Sequence, residues 1–337
     1  MLIEFGFARA AQRPSFRKNR GRRIQYSRPR ANRAGRLVEM TDHMLRAIHH
    51  KVRTTPALGR IAIRAIPNIC TRVTVAGIGS MSINLRRNRN YWIRDPLIHE
   101  LFMLGALQRL VKPGDVVFDA GANIGLYCRF LVQRFGAAKV IAFEPMEENH
   151  VLLRRNISLG NCQDRIEVIR VALADYDGYD QFQTDDMSSA SGTLNVITGG
   201  EACQGRQQYG LPPLTETVSV RRLDSLVEDG RVPIPQVIKM DVEGAEERLL
   251  RGGIRILRNY GPALAIELHG IDPARAVLEF LWSIRYHCFG FLQTEDGCQY
   301  KEITQSDSES ITDQYSLHFC IAGPDVGILS APPMYRS

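Results

Sequence analysis

Val116-Val-Phe-Asp119-Ala-Gly121-Ala-Asn-Ile-Gly125 is the stretch from which the fold is read. Three apolar residues running into Asp119 have the composition of a strand buried on both faces. Gly121 and Gly125 permit a tight reversal and a close approach of backbone to a ligand. Beyond them Ile124, Tyr127, Leu131 and Phe135, with Leu126 and Phe130 alongside, recur at helical spacing. Strand, glycine turn and helix make the first unit of a doubly wound sheet, and its turn is where a nucleotide-like cofactor docks.

A second strand, Lys139-Val-Ile-Ala-Phe143, closes on Glu144-Pro145. An acid about 20 residues past the glycine turn suits hydrogen bonding to both hydroxyls of a ribose. NAD and S-adenosylmethionine both carry that ribose. The turn, however, reads Gly-x-Asn-x-Gly and begins at Asp119. A carboxylate there repels a pyrophosphate and tolerates a sulfonium or an amino group. The cationic cofactor is favoured.

Outward from this unit the pattern continues. Upstream, Thr71–Val75 and Met81–Leu85 flank Gly77 and Gly79 as a β-hairpin, and Asp95-Pro96 opens a helix running to Leu110. Downstream come a helix over 147–159, a third strand over 166–171 leading to Ala172, Leu173 and Asp175, and a short helix begun by Leu223. A fourth strand ends at Asp241, and Val242-Glu243-Gly244-Ala245-Glu246 turns into a helix stopped by Gly252-Gly253. The fifth strand covers 263–270, a helix 274–287, and later strands Phe289–Gln293 and Ser316–Ala322. The expectation is an α/β, Rossmann-like doubly wound sheet of about seven strands over 95–325, preceded by a helical and hairpin extension at 37–94 and followed by a tail, 326–337. Residues 176–215, long and polar, form a flap over the crevice at the strand tips, where substrate would lie.

The charge is unevenly placed. Residues 1–36 hold eleven basic groups against Glu4, a net of +10, whereas the whole chain is +7 and the remainder therefore −3. Such a segment, without apolar periodicity, reads first as a solvated, disordered arm; contact with anionic lipid or nucleic acid, or a targeting peptide, are the alternatives. No apolar run approaches the length needed to span a bilayer. Seven scattered cysteines without Cys-x-x-Cys read as reduced, buried thiols of a cytoplasmic protein.

The strands end on Asp119, Glu144, Leu173/Asp175, Asp241 and Glu267/His269, and in an open α/β sheet those ends share one crevice. A ring of acids suits a cofactor bearing a sulfonium and an α-amino group better than it suits helix caps alone. Asp119–Gly125, Phe143-Glu-Pro145, Leu223-Asp-Ser-Leu226 and Ile238-Lys-Met-Asp-Val-Glu-Gly-Ala-Glu246, followed by Leu250-Arg-Gly252, resemble the FkbM family of S-adenosylmethionine-dependent methyltransferases. In order and spacing the resemblance extends over roughly residues 95–325. It implies a class I methyltransferase fold and methylation of hydroxyls on sugars, glycolipids, polysaccharides or polyketides. Where relatives tend to carry a Tyr-Glu pair, this chain has Tyr91-Trp-Ile-Arg94 and then His99-Glu100.

Carried over by position, Gly121, Asn123 and Gly125 pass under the methionine part of the cofactor, with Asp119 at the head of the turn. Glu144 holds the ribose, Ala172 or Leu173 flanks the adenine, and Asp175 is a candidate for its amine. Asp241 falls beside the transferred methyl. An alcohol is a poor nucleophile and needs a base as the new bond forms; the candidates are His269, Asp241 and Glu243. Their spacing requires no metal, although the three together are also a set for a divalent ion.

Two other enzyme classes compete. A nucleic-acid methyltransferase would use the basic arm, but no Asn/Asp-Pro-Pro-aromatic tetrapeptide stands at the fourth strand and RNP-like aromatics are missing. An NAD-dependent oxidoreductase meets the repulsion at Asp119. A non-catalytic cofactor-binding module would take up the donor and methylate nothing.

Overall fold

A computed structural model of the 337-residue chain describes residues 65–93, 95–184, 192–194, 214–294, 297–310 and 318–330. The basic arm, the expected extension up to residue 64, most of the flap and residues 331–337 lie outside the described residues.

In chain order the elements begin with strands β1 (Cys70–Val75) and β2 (Gly79–Asn84), then helices α1 (Asn90–Ile93) and α2 (Leu101–Leu110). Next come β3 (Val116–Ala120), α3 (Leu126–Gln133), β4 (Lys139–Phe143), α4 (Glu147–Leu159) and β5 (Ile166–Ile169). The flap region follows as β6 (Ala172–Leu173), β7 (Gly178–Thr184), β8 (Gly192–Leu194) and β9 (Leu214–Arg221). Then come α5 (Leu223–Glu228), β10 (Val237–Met240), α6 (Glu246–Gly252), α7 (Ile254–Tyr260), β11 (Ala263–Glu267) and α8 (Ile271–Ser283). The last are β12 (His287–Thr294), β13 (Gly297–Glu302), β14 (Phe319–Gly323) and α9 (Val326–Leu329).

The main sheet has the order β13-β12-β14-β11-β10-β3-β4-β5. Strands β5, β4, β3, β10 and β11 are parallel, and β14, β12 and β13 add antiparallel pairings at one edge. From β3 the chain steps outward to β4 and β5, then returns to β10 on the other side of β3. This reversal is a topological switch point, and it opens a crevice at the carboxyl ends of β3 and β10. Alternate residues feed opposite cores. Val117, Val140 and Ala142 pack with α2, α3 and α4, whereas Phe118, Ile141 and Phe143 pack with α5 to α8.

Several expectations shift. The expected doubly wound sheet of about seven strands is present with eight, β13 pairing along β12. The third strand stops at Ile169, and β6 joins a separate sheet of order β6-β9-β7-β8. That small sheet is the root of the flap: β7 and β9 pair antiparallel from Gly178↔Val220 to Thr184↔Leu214. The helix expected from Asp95 begins at Leu101, since the Asp95 carboxylate accepts a bond from Leu97 N at 3.0 Å and sets a turn first. The fifth strand ends at Glu267 and not 270, because Gly270, at φ 99°, lies outside extended space. The following helix spans Ile271–Ser283 and not 274–287; Pro273 is tolerated in its first turn. Among the described cysteines, Cys128, Cys162, Cys288 and Cys320 are buried as expected, but Cys70 is exposed.

The β1–β2 hairpin contributes Val75, Met81 and Ile83 to the core under α3 and α4. Asn156 of α4 staples it there. Its side-chain amide donates to Ser82 O and Ile124 O, and its Oδ1 accepts from Ser82 N at 2.6 Å.

The centre of the sheet holds a buried ion pair. Lys239 on β10 lies opposite Asp119 on β3, its Nζ 3.1 Å from Asp119 Oδ1, with both side chains wholly inaccessible. Lys239 also donates to Gly121 O at 3.0 Å and lies 4.7 Å from the centre of the Tyr127 ring. Lys239→Met is expected to lower folding stability by about 3–5 kcal/mol, because it strands an enclosed carboxylate. Adding Asp119→Asn should recover part of that loss. Urea unfolding of the two variants checks this, and an unshifted midpoint for Lys239→Met would remove the pair from the frame.

Candidate functional site

Gly121 and Ala122 donate their N–H groups to Phe143 O at 3.1 and 3.0 Å, which folds the turn back across the tip of β4. Gly121 sits at φ 74°, where a Cβ would lie 1.9 Å from Asp241 O. Only glycine lets the ends of β3 and β10 approach this closely. Asn123 (φ 49°) and Glu243 (φ 51°) are both left-handed, one on each side of the crevice. Asn tolerates that conformation through its short polar side chain; Glu does so at a cost of about 1–2 kcal/mol.

The turn divides a bent cleft. Its first part, about 630 Å³, is lined by Glu144, Met146, Ala172, Leu173, Phe182 and Leu194 among others. Glu144 is 4% exposed, and its Oε2 accepts from Asn123 N at 2.8 Å while Oε1 accepts from Met146 N at 3.0 Å. Burial pushes its carboxyl up to about 7, the hydrogen bonds to Met146, Asn123 and Asn149 opposing that shift. The geometry is a largely apolar slot with Glu144 on its wall and Asp241 and Glu243 also in its lining.

The second part, about 910 Å³, shares Gly121, Asn123 and Asp241 with the first and is walled by Tyr91, Asp95, His99, Glu100, Tyr127 and Lys239. Tyr127 donates its hydroxyl to Glu100, whose carboxyl burial holds above the usual range despite that bond. For Lys239, burial works to lower the pKa, but Asp119 and Asp241 outweigh it and the ammonium is held charged.

Beyond Asp241 the tips of β10 and β11 bring an imidazole among acids. His269 Nδ1 lies 2.8 Å from Oε1 of wholly buried Glu246. Its Nε2 stands 3.6 Å from Asp241 Oδ1, 3.8 Å from Glu243 Oε2 and 4.0 Å from Glu267 Oε1. Burial would push the imidazole down; the bond to Glu246 and the charges of Glu243 and Asp241 lift it to about 9. Burial raises Glu243 and Glu267 to about 7, with help from Asp241 in each case and with His269 opposing. Asp241, Glu267 and His269 offer ligand atoms within 4.8 Å of one another, so among the described residues the set spaced for a cation includes Glu267 in place of Glu243.

Of the residues read from sequence, Gly121, Asn123, Glu144, Ala172, Leu173, Asp241 and Glu243 line the cleft. His269 meets it through Asp241 and Glu243. Three stand elsewhere. Asp119 is enclosed, held by Lys239 and by the Cys128 thiol at 3.0 Å, so it presents no charge to a ligand. The charge argument against a pyrophosphate passes instead to Asp241 and Glu243. Gly125 begins α3 against Leu153. Asp175 is paired with Arg248 at 2.8 Å and lies outside the cleft lining.

Two of the shared motifs are structural. Asp224 accepts from Arg255 N and Ile256 N, each at 3.0 Å, capping α7. Gly252 lies where a Cβ would be 2.0 Å from Ala174 O, which seats α6 against the flap's root. Sequence reasoning missed Lys239, Glu246, Glu100 and Tyr127 as site members. A signal existed for Lys239: a lysine inside an otherwise apolar strand needs a buried partner.

Comparison with known proteins follows the same motifs. The methyltransferase FkbM domain model matches residues 119–288. The hexuronic acid methyltransferase AglP of Haloferax volcanii is 31% identical over 182 residues, which cover 54% of this chain and 67% of that protein. The 31-O-demethyl-FK506 methyltransferase FkbM of Streptomyces tacrolimicus is 27% identical over 203 residues, 55% of this chain and 76% of its own. A crystal structure of a methyltransferase FkbM from Methylobacillus flagellatus aligns at 20% identity and a TM-score of 0.38, over 62% of this chain and 43% of that one. With half of its length matched by the family's model, including the glycine turn, the acid of β4 and the tip of β10, the chain belongs to the FkbM methyltransferase family.

Proposed function

We propose that this methyltransferase uses S-adenosylmethionine to methylate a hydroxyl of a sugar, a glycolipid or polysaccharide, or a related metabolite. The observation that carries the reading is the His269 imidazole, tied through Nδ1 to buried Glu246 and opening Nε2 beside Asp241. That arrangement is a positioned proton acceptor. The bent cleft fits the donor in shape and charge. Its apolar slot suits an adenine between Ala172, Leu173 and Phe182, and Glu144 stands where two ribose hydroxyls would donate to it. Asp241 and Glu243 offer the negative charge that a sulfonium and an α-amino group require.

When bound, the donor supplies an electrophilic methyl group on sulfur. The chain's own contribution is to hold acceptor oxygen, methyl and sulfur in line and to take the acceptor's proton. His269 Nε2 receives that proton, and Glu246 stabilises the imidazolium and fixes its tautomer. In the ligand-free protein the acids around His269 keep it protonated at neutral pH. Positive charge delivered beside Asp241 and Glu243 lowers its pKa and frees Nε2 for the step. The polar wall formed by Tyr91, Asp95, His99 and Glu100 suits a polyhydroxylated acceptor. The names of the relatives, a hexuronic acid methyltransferase and a 31-O-demethyl-FK506 methyltransferase, agree with a hydroxyl acceptor.

The reading is tested by incubating the protein and labelled S-adenosylmethionine with glycolipids and polysaccharides. Label in a methyl ether supports it, and cofactor uptake without label in any acceptor overturns it. Glu144→Ala should weaken S-adenosylhomocysteine binding by about 1–3 kcal/mol. In the wild type, calorimetric affinity should tighten as pH rises through about 7, the ionised carboxylate being the better acceptor.

The acid limb of kcat/KM, which reports the free enzyme, should fall near 9, and that of kcat lower. Glu246→Gln should move the first limb downward, and His269→Ala should reduce turnover about 10²–10⁴-fold. Glu243→Asn should relieve the left-handed glutamate, leaving thermal stability equal or raised by up to about 1 kcal/mol while turnover drops.

A further inference from the structure

The donor named above ends in an amino acid, and a tail carrying both an ammonium and a carboxylate calls for charges of both signs around it. In the first part of the cleft the described lining includes Glu144, Asp241 and Glu243 but no lysine, arginine or histidine. The second part is lined by both signs, Arg89 and His99 as well as Asp95, Glu100 and Asp241. Gly121, Asn123 and Asp241 line both parts, so the way from the ribose acid Glu144 into the second part passes the glycine turn.

Which acid meets the ammonium follows from what each is already doing. Asp119, at the head of the turn, is enclosed and held by Lys239 and the Cys128 thiol. Asp95 accepts from Leu97 N and shapes the turn before α2. Glu100 is placed differently. It stands just before Leu101, the first residue of α2, yet its side chain does not cap that helix. Its Oε2 accepts from the Tyr127 hydroxyl, and its Oε1 has no hydrogen-bond partner among the described residues. Tyr127 is itself fixed, 6% exposed in α3 with the Lys239 ammonium over its ring. The carboxylate is therefore oriented from one side and keeps one oxygen for a ligand. Burial raises this carboxyl, the bond from Tyr127 opposes the shift and the charge of Asp241 adds to it. Two acids that feel one another on one cavity wall are both relieved by a cation beside them.

We propose that Glu100, oriented by Tyr127, binds the α-amino group of the donor together with Asp241 in the second part of the cleft. Resting on the proposed function, this carries the donor across the glycine turn and sets its amino acid against the same wall that the acceptor meets.

The test is calorimetry on the full chain with three ligands: S-adenosylhomocysteine, its analogue lacking the α-amino group, and 5′-methylthioadenosine, which lacks the whole amino acid. Glu100→Gln keeps the size of the side chain and an oxygen for the Tyr127 hydroxyl while removing the charge. It should weaken S-adenosylhomocysteine by about tenfold to a hundredfold, the range for a hydrogen bond to a charged group. Affinities for the other two ligands should stay unchanged, which also shows that the variant is folded. In the wild type the deaminated analogue should bind more weakly than S-adenosylhomocysteine by a similar factor. Tyr127→Phe, which frees the carboxylate to turn, should give a smaller loss confined to S-adenosylhomocysteine.

Equal losses for all three ligands, or no loss for any, overturn the proposal. So does a raised acceptor KM in Glu100→Gln with S-adenosylhomocysteine affinity intact, which would assign Glu100 to the acceptor alone. Wild-type protein that takes up none of the three ligands overturns the donor reading itself, so the two failures are distinct.

Discussion

The Lys239 ammonium, enclosed between β3 and β10, is the constraint on which the site depends. It neutralises Asp119 and reaches Gly121 O and, at 3.7 Å, Asp241 Oδ2. One cation thereby ties the opening strand, the glycine turn and the fourth strand's acid into a single unit. Removing charges of this kind from water is costly unless each finds a partner, so the pair disfavours any register of the two central strands that does not set Lys239 opposite Asp119. The crevice exists because these strands are locked side by side while the chain leaves them in opposite directions.

Around that lock the acids are more numerous than the cations facing them. Glu144, Asp241, Glu243 and Glu267 stand at the cleft or beside it, and Lys239 is already committed to Asp119. Burial raises the carboxyls of Glu144, Glu243 and Glu267, and at Glu243 and Glu267 the charge of Asp241 adds to the shift. At the latter two His269 supplies part of the opposing charge. A cationic donor supplies the rest in the proposed reaction, and the same arrival releases the imidazole for proton transfer.

Much of the fold and part of the cleft lining are legible in the sequence, for reasons that differ by residue. Val116–Gly125 could be read because a buried strand, a glycine reversal and a helical face leave three distinct periodicities in ten or fifteen letters. Glu144 and Asp241 followed from standing at strand ends. Asp119 was misplaced because position at a strand tip says where the backbone goes, not whether the carboxylate faces ligand or core; only the Lys239 opposite decides that. Asp175 fails for the same reason, turned to Arg248, and Gly125 serves packing, since a side chain there would run into Leu153. The second sheet was hidden because a two-residue strand such as β6 has no period, and because β7 and β9 are joined through a long polar stretch. Glu246 read as a helix-start acid, and its bond to His269 is a tertiary fact with no local signature.

The small sheet lends Phe182 and Leu194 to the first part of the cleft, and its root is clamped where Gly252 meets Ala174 O. Its strands therefore form one wall of the apolar slot, and among the described residues none of theirs lines the second cavity. A displacement of this sheet alters the width of the first part of the cleft and leaves the walls of the second part where they stand.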